Sequence, residues 1–130
     1  MIQGGSTSVG LFAIQLARIV SYRVIATCSP HNFDLVKSYG AHHVFDYHDP
    51  GSVVKEIKEV TFDGVVGGLE CIGGESNIKL AMETFGPKGG LLTILRTVSK
   101  GIEKVRSNVK VERLPMYTAS GYVSALIWQR

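Results

Sequence analysis

A run of glycine and small hydroxyl residues near the start of the chain is the segment best suited to bind a ligand. It reads Gly4-Gly5-Ser6-Thr7-Ser8-Val9-Gly10, and the apolar run LFAIQLARIV follows it directly. Between a strand and a helix, such a turn leaves backbone N–H groups and the positive end of the helix dipole open to an anion, because no bulky side chain blocks the approach. The sequence therefore predicts a phosphate-binding turn here.

The turn matches the dinucleotide-binding fingerprint only in part. In Gly5-x-Thr7-x-x-Gly10, a threonine stands where the middle glycine is expected. Gly10, Ala13 and Ala17 give the following helix a small-residue face that can press on a sheet, which is the role of the third glycine. A P-loop would need Gly-Lys-Ser/Thr after the turn, and a nucleophile elbow would need glycine at position 8. A tight turn that binds nothing remains the alternative.

The end of the second predicted strand bears on the choice between nicotinamide cofactors. NAD-binding folds place a carboxylate there for the ribose 2′-hydroxyl, whereas this strand runs into Ser29-Pro30-His31-Asn32. Ser29, His31 and Asn32 can donate hydrogen bonds to a 2′-phosphate, which a carboxylate would repel. The segment therefore favours NADP(H). Tyr47, at the end of the next strand, is expected beside the adenosine, with an ordinary half-exposed tyrosine as the alternative.

Other chemically capable residues are not grouped in a reactive pattern. The histidines and aspartates within 42–49 alternate between the two faces of a predicted strand, so no face collects three metal ligands. Cys71 has no basic neighbour in sequence, and neither Asp63 nor Glu70 has a partner for acid–base catalysis. We predict no metal site and identify no catalytic residue. The lack of an identified catalytic residue is compatible with hydride transfer from a nicotinamide, because that reaction depends chiefly on holding the cofactor against the substrate.

Strand-like and helix-like patterns alternate along the chain, which predicts an α/β fold with a Rossmann-type, doubly wound parallel sheet. Only Met1-Ile2-Gln3 precedes the glycine turn, so we expect a truncated first strand. After that first strand, the predicted strands are Tyr22–Cys28, Val44–Tyr47, Gly64–Ile72 and Gly90–Leu95, with Val109–Glu112 as a possible further strand. The predicted helices follow the turn and cover His31–Tyr39, Val53–Val60 and Ser76–Phe85.

Composition narrows the class of protein. With 130 residues, 45% of them apolar and 19% charged, the chain is expected to form one domain rather than a disordered segment. No apolar run reaches the ~18 residues of a membrane span. The basic segment Arg96–Arg113 contains no aromatic residue, so a nucleic-acid surface is not expected. Cys28 and Cys71 are predicted to be buried free thiols, which indicates a reducing, cytoplasmic location.

The segments GGSTSVG-x3-IQLA, YRVIATCSPHNFDLVKSYGAHHVFDY, GGLLTIL and VKVERLPMYTASG strongly resemble the cofactor domain of medium-chain dehydrogenase/reductases. The branch they resemble most is that of the fungal, zinc-free trans-enoyl reductases that partner polyketide synthases. Two departures are Glu70-Cys71-Ile72, where the family often has Asp-Cys-Ile, and extra glycines in Gly64–Leu69. The family's GroES-like catalytic domain is absent from the 130 residues, which predicts a fragment.

The resemblance implies a set of site residues. It assigns the pyrophosphate to Gly5, Ser6, Thr7, Ser8 and Val9; the 2′-phosphate pocket to Ser29, Pro30, His31 and Asn32; the adenosine side to Tyr47; the nicotinamide end to Ile94 and Leu95; and the substrate side to Leu114, Pro115, Met116, Tyr117 and Thr118. It implies NADPH-dependent reduction of an enone or enoyl thioester that is a small molecule or is bound to an acyl carrier. The alternatives are an inactive nucleotide-binding remnant or scaffold and a basic interaction module built on Arg96–Arg113.

Overall fold

The structure, a computed structural model, describes residues 1–96 and 100–114. Strands and helices alternate along those residues, as the sequence pattern predicts. In chain order the elements are β1 (Ile2–Gln3), α1 (Ser8–Ile19), β2 (Ile25–Thr27), α2 (Phe33–Ser38), β3 (His43–Phe45), α3 (Pro50–Thr61), β4 (Gly67–Glu70), α4 (Glu75–Glu83), β5 (Gly90–Ile94) and β6 (Val109–Arg113), with short 3-10 turns at Pro30–Asn32 and Ile102–Lys104.

The six strands form one parallel sheet in the order β3-β2-β1-β4-β5-β6. The strand order reverses at β1, since β2 and β3 lie on one side of it and β4 to β6 on the other. This is the doubly wound, Rossmann-type topology, and ligands of such sheets bind at the carboxyl ends of the strands beside the reversal point. The predicted fold class is confirmed, and the possible strand near residue 109 is β6.

Apolar residues cover both faces of the sheet, as a parallel sheet requires. One layer packs α1 and α2 against the sheet around Ile2, Ile14 and Val36. The other packs α3 and α4 around Ile57, Met82 and Phe85. Each side chain in these two triads is at most 6% exposed. The layers hold the carboxyl ends of the strands in fixed positions, which is what a ligand site at that edge needs.

Strand β1 has two residues and sits in the centre of the sheet. Ile2 pairs with Ala26 and Leu69, and Gln3 pairs with Thr27 and Glu70. The short first strand expected from the sequence is therefore observed, and both of its residues are buried and form ladders with two neighbours.

Strands β2 and β4 are shorter than their apolar runs predict. Tyr22 is 68% exposed, and its N–H donates to the Ala17 carbonyl at 2.9 Å, which closes the end of α1 rather than starting a strand. Gly64 adopts a left-handed φ of 104°, and the Val65 N–H donates to the Thr84 carbonyl. β4 therefore begins only at Gly67, three residues after the start of the predicted strand. Apolar composition predicted burial there, but backbone pairing starts later.

Among the helices of the described ranges, none is long and apolar enough to cross a bilayer.

Candidate cofactor-binding site

Thr7 closes the glycine turn that connects β1 to α1. Its backbone N–H and its hydroxyl both donate to the Gly4 carbonyl, at 3.0 and 2.7 Å, and its Oγ1 accepts the Gly10 N–H at 3.0 Å. Thr7 is thus the N-cap of α1, with an extended backbone at φ −71° and ψ 157°. A threonine at the middle-glycine position is tolerated because its side chain turns inward and satisfies the helix start.

Gly10 packs against the turn more closely than any side chain would allow. A Cβ added to it would lie 2.3 Å from the Gly4 carbonyl oxygen and 2.9 Å from the Gly5 Cα. Gly5 is itself confined, since its Cβ would lie 2.9 Å from that of Ala26. The first turn of α1 therefore lies directly on the chain leaving β1, as expected for the third glycine of a dinucleotide-binding turn.

Two backbone donors at the start of α1 are available to a ligand. Within the described residues, the N–H groups of Ser8 and Val9 donate to no acceptor, and both residues are exposed. No acidic residue stands in the first turn of α1. The positive end of the helix dipole and two free donors make this an anion site.

The residues predicted for the 2′-phosphate lie at the carboxyl end of β2. Pro30–Asn32 form a 3-10 turn in which Pro30 and His31 are exposed, while Ser29 and Asn32 are partly buried. The Ser29 Oγ lies 3.4 Å from the Tyr47 hydroxyl. Tyr47 follows β3, so the structure brings together two site residues that are 18 positions apart in sequence. They lie on the β3 side of the glycine turn.

The residues predicted for the nicotinamide end lie on the opposite side of the turn. Ile94 ends β5, and its side chain is 2% exposed because it points into the α3–α4 layer. Leu95 is partly buried, and its N–H donates to the Glu70 carbonyl at 3.3 Å. The Leu114 N–H donates to the Ile94 carbonyl at 2.9 Å, which puts the start of the predicted substrate segment beside this end. Pro115, Met116, Tyr117 and Thr118 lie outside the described residues.

A row of buried polar side chains lies behind the turn, and the sequence patterns did not indicate it. Gln3, Thr27 and Glu70 are register partners at the ends of β1, β2 and β4, and each is at most 1% exposed. The Gln3 Oε1 and the Thr27 Oγ1 have no hydrogen-bond partner among the described residues. A polar residue at the last position of three neighbouring apolar strands was the available signal.

Glu70 holds the loop that faces the glycine turn. Its carboxylate accepts the N–H groups of Ile72 and Gly73, at 2.8 and 2.9 Å. Asn77 extends the network, since its side chain donates to the Gly73 carbonyl at 2.8 Å and its Oδ1 lies 3.4 Å from the Gln3 Nε2. Ile72 in turn packs beneath Gly4. Glu70, which formed no acid–base pair in the sequence, positions the β4–α4 loop.

The two cysteines differ from each other. Cys28 is buried as predicted, whereas Cys71 is only partly buried, because it follows the end of β4 beside the open turn. Desolvation raises the pKa of Cys71 to about 11; a hydrogen bond with Thr7 opposes that rise, and Glu70 adds to it. Desolvation, aided by Asp46, also raises the pKa of Cys28 to about 11. Both are thiols at neutral pH and poor nucleophiles.

The histidines around β3 are held separately. The His42 Nδ1 accepts the Val24 N–H at 2.9 Å, and its Nε2 contacts Arg18. Desolvation and the Arg18 guanidinium lower the pKa of His42. His48 contacts Asp46 instead. In the described ranges, no group of three or more His, Cys, Asp or Glu side chains is placed to hold a metal ion.

A comparison with family models matches residues 8–115 to the zinc-binding dehydrogenase family. A trans-enoyl reductase of Fusarium heterosporum is 40% identical over 110 residues, which are 85% of this chain and 31% of that protein. A zinc-type alcohol dehydrogenase-like protein of Schizosaccharomyces pombe is 42% identical over 114 residues, again 85% and 31%. The chain thus spans about a third of the length of these curated relatives.

Solved structures show the same fold. The CurK enoyl reductase superposes with a TM-score of 0.79 at 22% identity, over 98% of this chain and 41% of that one. A mycobacterial protein solved in complex with NADPH superposes with a TM-score of 0.74 at 23% identity, over 90% and 39%. The family is named for zinc, but the described side chains contain no group of three ligands that could hold that metal. The chain belongs to the zinc-binding dehydrogenase family, within the medium-chain dehydrogenase/reductase superfamily.

Proposed function

We propose that this chain is the NADP(H)-binding part of an oxidoreductase that reduces an enone or an enoyl thioester. The observation that carries the proposal is the start of α1, where the unpaired N–H groups of Ser8 and Val9 face out of a turn closed by Thr7 and Gly10. This anion site lies where the strand order reverses, which is where dinucleotides bind to such sheets. The match to trans-enoyl reductases supports the reaction type.

Each residue group has a role in binding. The turn from Gly5 to Val9 holds the pyrophosphate, chiefly through backbone N–H groups, and the helix dipole favours its charge. Ser29, His31 and Asn32 donate to the 2′-phosphate, and Pro30 fixes the 3-10 turn that presents them. Tyr47 flanks the adenosine from β3, beside Ser29.

The cofactor extends from the turn toward the β5 side. Leu95 and the backbone of Ile94 border the nicotinamide end, while the Ile94 side chain stays in the core. When bound, the nicotinamide supplies a hydride for the β-carbon of the substrate. The assignment of Leu114, Pro115, Met116, Tyr117 and Thr118 to the substrate side rests on the resemblance. Of these residues only Leu114 is described, and its N–H donates to the Ile94 carbonyl.

The relatives are about three times as long as this chain. We therefore propose that the groups that bind the substrate carbonyl lie outside these 130 residues, in a catalytic domain. A polyketide synthase as partner is part of the same proposal, and it rests on the resemblance to the trans-enoyl reductase branch. A cytoplasmic location is also part of it, because the chain carries two free cysteines.

Titration with NADPH and with NADH, followed by nicotinamide fluorescence, tests the cofactor assignment. We expect NADPH to bind more tightly. His31→Ala should weaken NADPH binding and leave NADH binding unchanged, whereas His43→Ala, at the amino end of β3 and in contact with Arg23, is the matched control. Equal affinities for both cofactors, or no binding of either, would contradict the proposal.

A second candidate is a nucleotide-binding remnant without turnover. Enone-dependent oxidation of NADPH separates the two functions. The 130-residue chain is a cofactor domain if it binds NADPH without oxidising it, and if oxidation appears when a relative's catalytic domain is joined to it. Binding that never leads to oxidation supports the remnant.

A further inference from the structure

Four basic side chains come together at the amino ends of β2 and β3, which is the end of the sheet opposite the glycine turn. Arg18 stands in the last turn of α1, and Arg23 lies two residues before β2. His42 immediately precedes β3, and His43 begins it. The two strands start side by side, because Ile25 and His43 are register partners. This basic cluster therefore lies at the other end of the strands from the candidate cofactor site.

The charge of the basic cluster has no acidic counterpart in the described part of the chain. Neither of its arginines forms an ion pair with a carboxylate there. Desolvation lowers the pKa of His42, and the charged groups that add to this effect, Arg18, Arg23 and His43, are all basic. Arg18 and His42 are exposed, so an anion from the solvent can reach them. Basic groups held together in this way attract an anion.

The hydrogen bonds of His42 leave two donors facing each other. The Val24 N–H donates to the His42 Nδ1 at 2.9 Å, so that nitrogen carries no proton. A neutral imidazole has one N–H, which must then be on Nε2. The Arg18 Nη1 contacts this Nε2, yet a guanidinium can only donate. Two N–H groups therefore lie together with no acceptor between them, and a ligand with oxygen acceptors can satisfy both.

Both donors are held in place by the backbone around them. Gly40 has a left-handed φ of 113°, and a Cβ added to it would lie 2.8 Å from the Arg18 Cγ. The aliphatic part of Arg18 therefore lies directly on Gly40, and any side chain at that position would displace it. The His42 ring is fixed by its hydrogen bond from the Val24 N–H. The two donors are thus positioned before a ligand binds.

We propose that Arg18 and His42 bind a phosphate group, whose oxygens accept the Arg18 N–H and the His42 Nε2–H. A phosphate fits because its neighbouring oxygens can accept both donors and its charge strengthens these hydrogen bonds. Arg23 already donates to the His43 Nε2 at 2.9 Å, so it adds attraction from nearby without a direct contact. Free phosphate and a phosphate monoester share this chemistry. The site uses no residue assigned to NADP(H), so its test is independent of the proposed function.

Titration of the 130-residue chain with inorganic phosphate tests the site, at pH 8 and low ionic strength, with the imidazole proton resonances of the four histidines as the readout. We expect the His42 resonances to shift saturably in the millimolar range, both with and without NADPH. Phosphate should also raise the Tm more than chloride does at equal ionic strength. Phenyl phosphate distinguishes the two sources: binding as tight as that of phosphate identifies a monoester site, whereas exclusion of phenyl phosphate identifies a site for the free anion.

Two variants remove the proposed donors, and a third is the matched control. Arg18→Gln should weaken phosphate binding about tenfold, since it removes a charge-assisted donor. His42→Asn keeps an acceptor for the Val24 N–H but has no Nε2–H, and it should also weaken binding. Lys58→Gln removes the same charge from the last turn of another helix, α3, and should leave the affinity unchanged.

Three outcomes would overturn the proposal. The first is no saturation by millimolar phosphate. The second is a shift of the His31 resonances in place of those of His42, which would put the phosphate at the candidate cofactor site. The third is equal weakening by Arg18→Gln and Lys58→Gln, which would show attraction by net charge alone. If Arg18→Gln does not fold, the same comparison is made between His42→Asn and Lys58→Gln.

Discussion

Replacement of Gly10 by alanine tests whether the close packing of α1 on the glycine turn holds the candidate site together. The added Cβ would lie 2.3 Å from the Gly4 carbonyl oxygen, far inside contact distance, and 2.9 Å from the Gly5 Cα. Both obstacles are backbone atoms, so neither can rotate away. The start of α1 must therefore move off the turn.

The magnitude follows from two opposing effects. Alanine gains up to ~1 kcal/mol over glycine in a helix, while overpacking in a tight contact costs ~1–3 kcal/mol or more. We expect a net loss of about 2 kcal/mol at Gly10. Gly51 is the matched control, since it also lies in the first turn of a helix and its added Cβ would meet only the Asp49 carboxylate at 3.7 Å. Gly51→Ala should be neutral or stabilising by up to ~1 kcal/mol.

Thermal unfolding followed by circular dichroism measures the difference. At roughly 4 °C per kcal/mol for a chain of this size, the two variants should differ in Tm by about 10 °C. NADPH titration adds a second readout, because displacement of α1 moves the Ser8 and Val9 donors and should weaken binding. A Gly10→Ala variant as stable as Gly51→Ala, with unchanged cofactor affinity, would refute the packing argument.

Three further predictions concern single groups. Thr7→Val should lower the free energy of unfolding, measured in urea, by about 1 kcal/mol, because the Gly10 N–H loses its acceptor. Thr7→Ser keeps a hydroxyl acceptor and should retain most of that stability. Equal stability of the two variants would contradict the role of Thr7 as the N-cap. Glu70→Gln should lower the free energy of unfolding by ~1.5–3 kcal/mol and weaken NADPH binding, since both carboxylate oxygens accept the Gly73 N–H. Urea unfolding and NADPH titration at pH 7 measure the two effects. Unchanged NADPH affinity would show that the β4–α4 loop does not contribute to cofactor binding. The pKa of His42 is lowered in the fold by desolvation and by the Arg18 guanidinium, so below about pH 6.5 the unfolded chain binds more protons and stability should fall as the pH falls. His42→Asn, whose side-chain oxygen can still accept the Val24 N–H, should reduce that fall in a pH series of unfolding curves, and an unchanged fall would assign it to another group.

Much of the fold was predictable because local patterns decide the element types. The β-branched run before Cys28 and the helical spacing of Val53, Ile57 and Val60 each matched the element that formed there. Exact strand limits were not predictable, because backbone pairing depends on neighbours. The Tyr22 N–H bonds to the end of α1, and the left-handed Gly64 delays β4.

Patterns along the chain were sufficient to predict the alternation of elements, the parallel sheet, and a glycine turn at the start of α1. These are local properties, set by side-chain periodicity and by the conformational freedom of glycine. The sequence also indicated Ser29 and Tyr47 as residues of one site, although nothing in the spacing between them required contact.

The contacts between residues that are distant in sequence depend on how the strands and helices pack together. Strand order places Gln3, Thr27 and Glu70 in one buried row, and it brings the Ser29 Oγ within 3.4 Å of the Tyr47 hydroxyl. It also gave Glu70 its role as the anchor of the β4–α4 loop, because its carboxylate is buried where two backbone N–H groups need an acceptor. Register across a parallel sheet is set by the packing of both helical layers, so no pattern along a single strand could have specified these contacts.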